Sequence, residues 1–221
     1  MTAHPDPVAS EPNHAGPQLV VAGSLRDQTA EHHKRAERSD FQRQLIAGRL
    51  PVAGYIGWLE QMLCVYRALE AHLASGKPRY AGVDVEVWRK TPQLERDLAH
   101  FGRAVPPAPV PATEAFLGQM GRWAEGRAPV LLGVLYVLEG STNGSRHIAR
   151  SLKKAYDLPG GAGLDFLDPY GDAQPERWRE FKSRLEAVVP AGDVDELVVA
   201  ARGTFDAVTE IGQNLLDRLA A

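Results

Sequence analysis

Two histidines, His32 and His33, stand side by side near the start of this 221-residue chain, in the stretch LRDQTAEHHKRAE. A neutral imidazole is a good ligand for iron. Leu25, Thr29, His33 and Ala36 recur at steps of four and three, which places them on one helical face. His32 lies seven residues after Leu25, near the same face. Spacing alone leaves open which of the two would ligate, and an ordinary structural role for both.

The second unusual stretch is LLGVLYVLEGSTNGSRHIARSL, a long apolar helix carrying Gly133, Gly140 and Gly144. Glycine inside a helix costs ~1 kcal/mol relative to alanine. Ser141, Thr142 and Asn143 weaken the middle further. Close packing through small residues would compensate, and so would a kink that lets backbone approach a flat ligand. A glycine wall also keeps a pocket narrow, with room for a small diatomic ligand. A diiron site asks for inward-facing Glu-x-x-His pairs. The one such spacing is Glu11 to His14, in the N-terminal tail. Glu139 and His147 are too far apart for a pair on adjacent turns. His72 and His100 lack a carboxylate at that spacing. The single cysteine, Cys64, excludes a disulfide framework or a thiolate-rich metal site within one chain and reads as a core thiol.

Helices must position these residues. Ser24 reads as an N-cap, with Asp27 three residues on, opening a helix to about Ser39. A short helix over FQRQLIAG ends near Gly48. A long one over 52–75 carries Ile56, Leu59, Leu63, Tyr66, Leu69 and Leu73 at helical steps, closed by Gly76, Lys77 and Pro78. Thr91 and Pro92 resemble an N-cap and N1 proline. RAVPPAPVPA is an extended loop. Helices follow over 113–125, with Phe116, Met120 and Trp123 on one side, and over 128–156. DLPGGAGLDFLDPYGDAQ is irregular, and a helix starts at Pro175. The last helix sets Val194, Leu197, Val198, Ala201, Phe205, Val208, Ile211 and Leu215 on one stripe. No strand alternation appears. The fold class is all-α, a single domain over 24–221 behind a disordered tail at 1–23.

A net charge of −3, with basic residues scattered, gives no footprint for nucleic acid. The N-terminus lacks a basic start and an apolar core of the secretory type, and no apolar run reaches membrane-span length. A cytoplasmic setting is expected.

Taken together, LRDQTAEHHKRAE, YVLEGSTNGS, LPGGAGLDFLDPYG and RWREFKSRLE resemble the haem oxygenase family, in its bacterial biliverdin-forming branch, over roughly residues 24–215. The resemblance implies haem held between a proximal helix and a glycine-kinked distal helix. Thr29, Ala36 and Glu37 fix a register that makes His33 the axial ligand. Gly140 and Gly144 fall on the two close-approach positions of the distal helix. Ser141 stands where animal members carry an aspartate that organises distal water, so Ser141, Thr142 or backbone-held water would supply that network. Arg26, Arg177 and Lys182 become candidates for the haem propionates. Phe205 would line the pocket or simply fill the core, and Tyr170 would belong to the haem-side loop or cap it. The implied reaction is oxygen-dependent cleavage of haem, substrate and cofactor at once, to biliverdin, carbon monoxide and ferrous iron. No flavin or dinucleotide fingerprint is present. Electrons would therefore come from an external ferredoxin or reductase, and a biliverdin-using photoreceptor is a further implied partner. A non-catalytic haem-binding or storage protein of the same fold is the first alternative, and a diiron oxidase-like protein the second.

Overall fold

The computed structural model describes residues 20–76, 80, 82–103, 108–126 and 129–221. Among the described residues, eight α-helices carry the fold: α1 (Val20–Glu37), α2 (Asp40–Ile46), α3 (Val52–Ser75), α4 (Thr91–His100), α5 (Pro111–Glu125), α6 (Leu131–Ala155), α7 (Gln174–Val188) and α8 (Val194–Ala220). No strand occurs among the described residues. The fold is all-α, as the periodicities predict.

The C-terminal helix α8 is the spine, packing against α1, α2, α3, α5 and α6. Its stripe explains this: Val194, Leu197, Val198, Ala201, Ile211 and Leu215 are all buried. Phe205 and Val208, on the same stripe, are only partly buried. Both line a cleft instead. Along α3, Leu59, Leu63, Tyr66, Leu69 and Leu73 are buried as their spacing predicts, and Tyr55, Trp58, Met62 and Val65 fill a second face.

Three helix starts depart from expectation for one shared reason. Helix α1 is already helical at Val20, so Ser24 lies inside it and is no cap. The free N–H groups of Val21 and Ala22 donate to the Glu186 carboxylate on α7, at 3.0 and 2.8 Å. Thr91 is the first residue of α4 rather than its cap. Glu70 Oε1, on α3, accepts from the backbone N–H of Lys90 and of Thr91. Helix α5 opens at Pro111, two residues early, and Asn214 on α8 accepts from the Ala112 N–H. Side chains distant in sequence here satisfy the orphan donors of helix N-termini. Carboxylates at these positions also favour the helix dipole. The tail expected over 1–23 lies outside the described residues up to residue 19, and 20–23 are helical. Lys77, Pro78 and the 104–107 part of the proline-rich loop also lie outside.

The segment between α6 and α7 is irregular as predicted, with short 3₁₀ turns at Pro159–Gly161 and Gly171–Ala173. It is nonetheless fixed. Tyr55 Oη donates to the Gly163 carbonyl at 3.0 Å. Asp97 of α4 accepts from the N–H groups of Asp165 and Phe166 at 2.9 and 2.8 Å. Gly163 has φ +86°, and a Cβ there would sit 2.8 Å from the Phe101 ring, so only glycine fits this turn.

Candidate functional site

Helices α1 and α6 face each other across a cleft with two lobes. The inner lobe, about 480 Å³, lies over Trp58, Met62, Tyr66, Phe166 and Leu167. The outer lobe, about 310 Å³, opens beside Arg26, Tyr136 and Trp178. His33, Val137, Gly140, Ser141 and Phe205 line both lobes. His33 and Gly140, 107 residues apart in sequence, thus meet at one constriction.

On the α1 wall, Leu25, Thr29 and Ala36 are buried, as the shared face predicts, and the His33 side chain, 55 % exposed, reaches the cleft. Phe205 meets its ring edge-on at 5.5 Å and 80°. His33 Nε2 is 3.6 Å from Glu37 Oε1, a carboxylate placed to orient the imidazole. His32 lines neither lobe. It turns instead toward Asp206 of α8, with Nε2 3.9 Å from Oδ2, and Arg35 pairs with the same carboxylate.

On the α6 wall the three glycines do three different things, and the helix runs unbroken through all of them. Packing of Gly133 against α8 and of Gly140 against Trp178 offsets the weak turns. A Cβ on Gly133 would lie 2.2 Å from the Leu197 carbonyl, so this glycine lets α6 and α8 touch. A Cβ on Gly140 would meet the Trp178 indole at 3.3 Å. Gly144 has nothing within 4 Å of its Cβ position and lines the inner lobe. Ser141, Thr142, Asn143 and Ser145 each donate to the carbonyl three residues before, a local alternative to pointing into the cleft. Ser145 also donates to the Leu167 carbonyl, tying α6 to the pinned loop.

Behind this wall lies a buried ion pair. Glu139 and Lys90 are both fully buried, with Oε2 and Nζ 2.7 Å apart. Lys90 Nζ also donates to Tyr170 Oη at 2.8 Å and to the Trp88 carbonyl at 3.0 Å. All three ammonium donors are used. Burial pushes the Lys90 ammonium below its ordinary pKa, against the opposing pull of Glu139. Burial, and then Glu139, hold the Tyr170 phenol far above its ordinary range.

The cationic candidates separate. Arg26 lines the outer lobe, with its guanidinium mostly exposed and paired to Asp27 at 2.8 Å. Lys182 Nζ rests 5.5 Å from the centre of the Trp178 ring, behind the wall of that lobe. Arg177 pairs with Glu180 at 3.1 Å and lines neither lobe. His147 is exposed at the inner lobe. Among the described residues, no three His, Cys, Asp or Glu side chains converge as a metal site, so the diiron alternative finds no ligand set there. No helix among them is long and apolar enough to cross a membrane.

A profile of the family described as "Heme oxygenase" matches residues 20–214, nearly the whole chain. The chain belongs to the haem oxygenase family. It is 37% identical over 99 residues to the heme oxygenase of Xanthomonas campestris, covering 44% of this chain and 51% of that protein. It is 25% identical over 189 residues to heme oxygenase 1 of Rattus norvegicus, covering 80% of this chain and 65% of that one. The matched stretch therefore spans about half of the first relative and just under two thirds of the second. The solved heme oxygenase-2 from Synechocystis, in complex with heme and NO, superposes with a TM-score of 0.84 at 18% identity, covering 90% of this chain and 86% of that one. That likeness establishes the haem oxygenase fold.

Within this member of the family, sequence patterns pass over several cleft groups. Trp178 stacks on Phe181 at 16° and lines the outer lobe opposite Gly140. Its flanking arginines draw attention away from it. Tyr66 reads as one apolar position of α3, yet it lines the inner lobe. The pairing of Lys90 with Glu139 leaves no local signal, because the partners are 49 residues apart.

Proposed function

We propose that this chain binds haem in the α1–α6 cleft and cleaves it with oxygen to biliverdin, carbon monoxide and ferrous iron, with His33 as axial ligand. The observation that carries this reading is the shared lining of the two lobes. His33 and Gly140, from opposite walls, bound the same constriction. The residues present fit a flat iron macrocycle. Gly140 and Gly144 give a wall without side chains, the lining is mostly apolar, and the His33 imidazole faces it. The bound macrocycle supplies the iron that takes up and reduces oxygen.

The chain's own residues bind, orient and exclude water. Glu37 and Phe205 hold the His33 imidazole in place. Trp58, Met62, Phe166, Leu167 and Val208 keep the inner lobe apolar. Gly140 and Gly144 would hold the cleft narrow beside bound haem, with room for a molecule the size of oxygen. Arg26 sits at the outer lobe for a propionate, while Lys182 and Arg177 reach one only by leaving Trp178 and Glu180. Electrons come from an external ferredoxin or reductase, since nothing in the chain binds flavin or dinucleotide by motif. A biliverdin-using photoreceptor is a fitting recipient of the product. The lone cysteine and the absence of a membrane-length helix among the described residues support a cytoplasmic setting.

Reconstitution tests this. Wild type with haem gives a His-ligated spectrum that His33→Ala loses and His32→Ala keeps; loss only in His32→Ala overturns the ligand assignment. Under oxygen with ascorbate or a reductase, the Soret band decays as biliverdin absorption grows. A stable ferric or oxy spectrum instead makes the protein a haem carrier.

A further inference from the structure

Among the described residues, Trp178 is the α7 side chain that lines the cleft. Three neighbours hold it. Its ring stacks on the buried Phe181 at 5.7 Å and 16°, and meets Tyr136 of α6 at 5.4 Å and 44°. Lys182 Nζ sits 5.5 Å from its centre. Ring pairs have preferred geometries and contribute beyond the area they cover, so the indole is a fixed surface. Its six-membered ring is the part that reaches α6: Cη2, Cζ2 and Cζ3 lie 3.3, 3.7 and 3.9 Å from where a Gly140 Cβ would stand. Four residues on, Gly144 has nothing within 4 Å of its Cβ position. The glycine wall is therefore covered at Gly140 and bare at Gly144. A flat molecule in the cleft can lie against the helix at Gly144, and near Gly140 its rim meets a carbon edge. The outer lobe also divides by chemistry. Arg26 and Lys34 bring cations from α1, each paired with a nearby carboxylate. Trp178, Val137 and Phe205 bring carbon. A carboxylate pressed against carbon loses its hydrogen bonds at a cost, whereas a vinyl or methyl group gains by the same burial.

We propose that Trp178 is a specificity-determining residue: its ring is an edge stop that accepts an apolar substituent of the macrocycle and refuses a carboxylate, and so fixes how the bound ring is turned in its plane and which meso carbon is cleaved. Haem carries its two propionates on one side and its vinyl and methyl groups elsewhere. Each rotation of the ring therefore brings a different substituent to the indole, and the seating refused is the one that puts a propionate there. The proposal rests on the haem reading of the cleft.

Two measurements on the full chain with haem test it. In the ferric cyanide complex, the ring-methyl proton resonances report the seatings present and their ratio, without turnover. Under oxygen with a reductase, chromatography of the biliverdin reports the isomers formed. Wild type gives one dominant seating and one dominant isomer. Trp178→Ala moves both ratios about fivefold or more toward an even mixture. Trp178→Phe keeps a ring on Phe181, moves the ratios less in the same direction, and carries the test if the alanine variant fails to fold. Trp178→Arg offers a carboxylate a partner and favours the seating that wild type refuses, an effect that a merely structural role for the indole does not produce. Unchanged ratios in these variants overturn the proposal while the haem reading stands, and so does a wild type that is evenly mixed. A wild type that takes up no haem overturns the haem reading itself, and the proposal with it.

Discussion

On the α1 wall of the cleft, His33 is about half exposed and stands 3.6 Å from Glu37, and its neighbours His32 and Arg35 face Asp206 at the surface. On the α6 wall, Glu139, Thr142 and Ser145 are buried, and their hydrogen bonds reach α7, the α6–α7 loop and the start of α4. The difference separates two tasks. The α1 wall presents its histidine on an exposed face whose polar groups meet at the surface. The α6 wall holds its shape, because its polar groups are committed to other elements. Preorganised dipoles of this kind cost no reorganisation when a reaction occurs.

Substitutions that break this contrast rank in size. Glu139→Ala strands the Lys90 ammonium in the core, and chemical denaturation should record a loss of about 3–5 kcal/mol. A loss below 1 kcal/mol would mean that the two walls are built alike.

Asp97, which pins the loop that completes the α6 wall, gives the next effect. Burial outweighs its two N–H donors and raises its carboxyl from 3.8 to about 6. The folded chain therefore holds this proton more tightly than the unfolded chain. The stability it contributes is fully present below the ordinary carboxyl pKa and is lost as pH rises through about 6. Denaturation of wild type against Asp97→Asn, which cannot ionise, should show the wild type losing about 3 kcal/mol relative to the variant between acid and neutral pH. A constant difference between the two proteins sinks the assignment.

Ser145→Ala removes a buried hydroxyl that donates to the Leu167 and Thr142 carbonyls. A destabilisation of about 1–2 kcal/mol is expected by thermal or urea unfolding. On the opposite wall, Arg35→Ala breaks a surface pair with Asp206 and should cost under about 1 kcal/mol. A large loss there would mean that the exposed wall is held as firmly as the buried one.

The helices and the cleft's axis were legible in the sequence, since apolar spacing in α3 and α8 marks buried stripes directly. The two members of the α8 stripe that escape the core, Phe205 and Val208, are those that line the cleft. Periodicity places a residue on a face without saying what lies opposite. The close-packing reading of the glycine helix holds for two glycines: Gly133 admits the α8 backbone and Gly140 the Trp178 indole, while Gly140 and Gly144 also line the cleft. What the sequence conceals is pairing at long range. Ser24 and Thr91 look like caps because capping rules are local, whereas Glu186 and Glu70 do that work from other helices. Lys90 and Glu139 are hidden for the same reason.

The Glu186 contact also bears on how the molecule is made. The helix that carries His33 is synthesised well before α7, yet the carboxylate that finishes its N-terminus lies there, 165 residues further on. Its cleft partner Phe205 comes later still. Contacts of such sequence separation form slowly, after loop closure has been met. On the ribosome, chains grow at about 5–20 residues per second. The early helix must wait many seconds for α7 and α8. A chain not yet extended through α8 therefore holds His33 without a completed cleft around it.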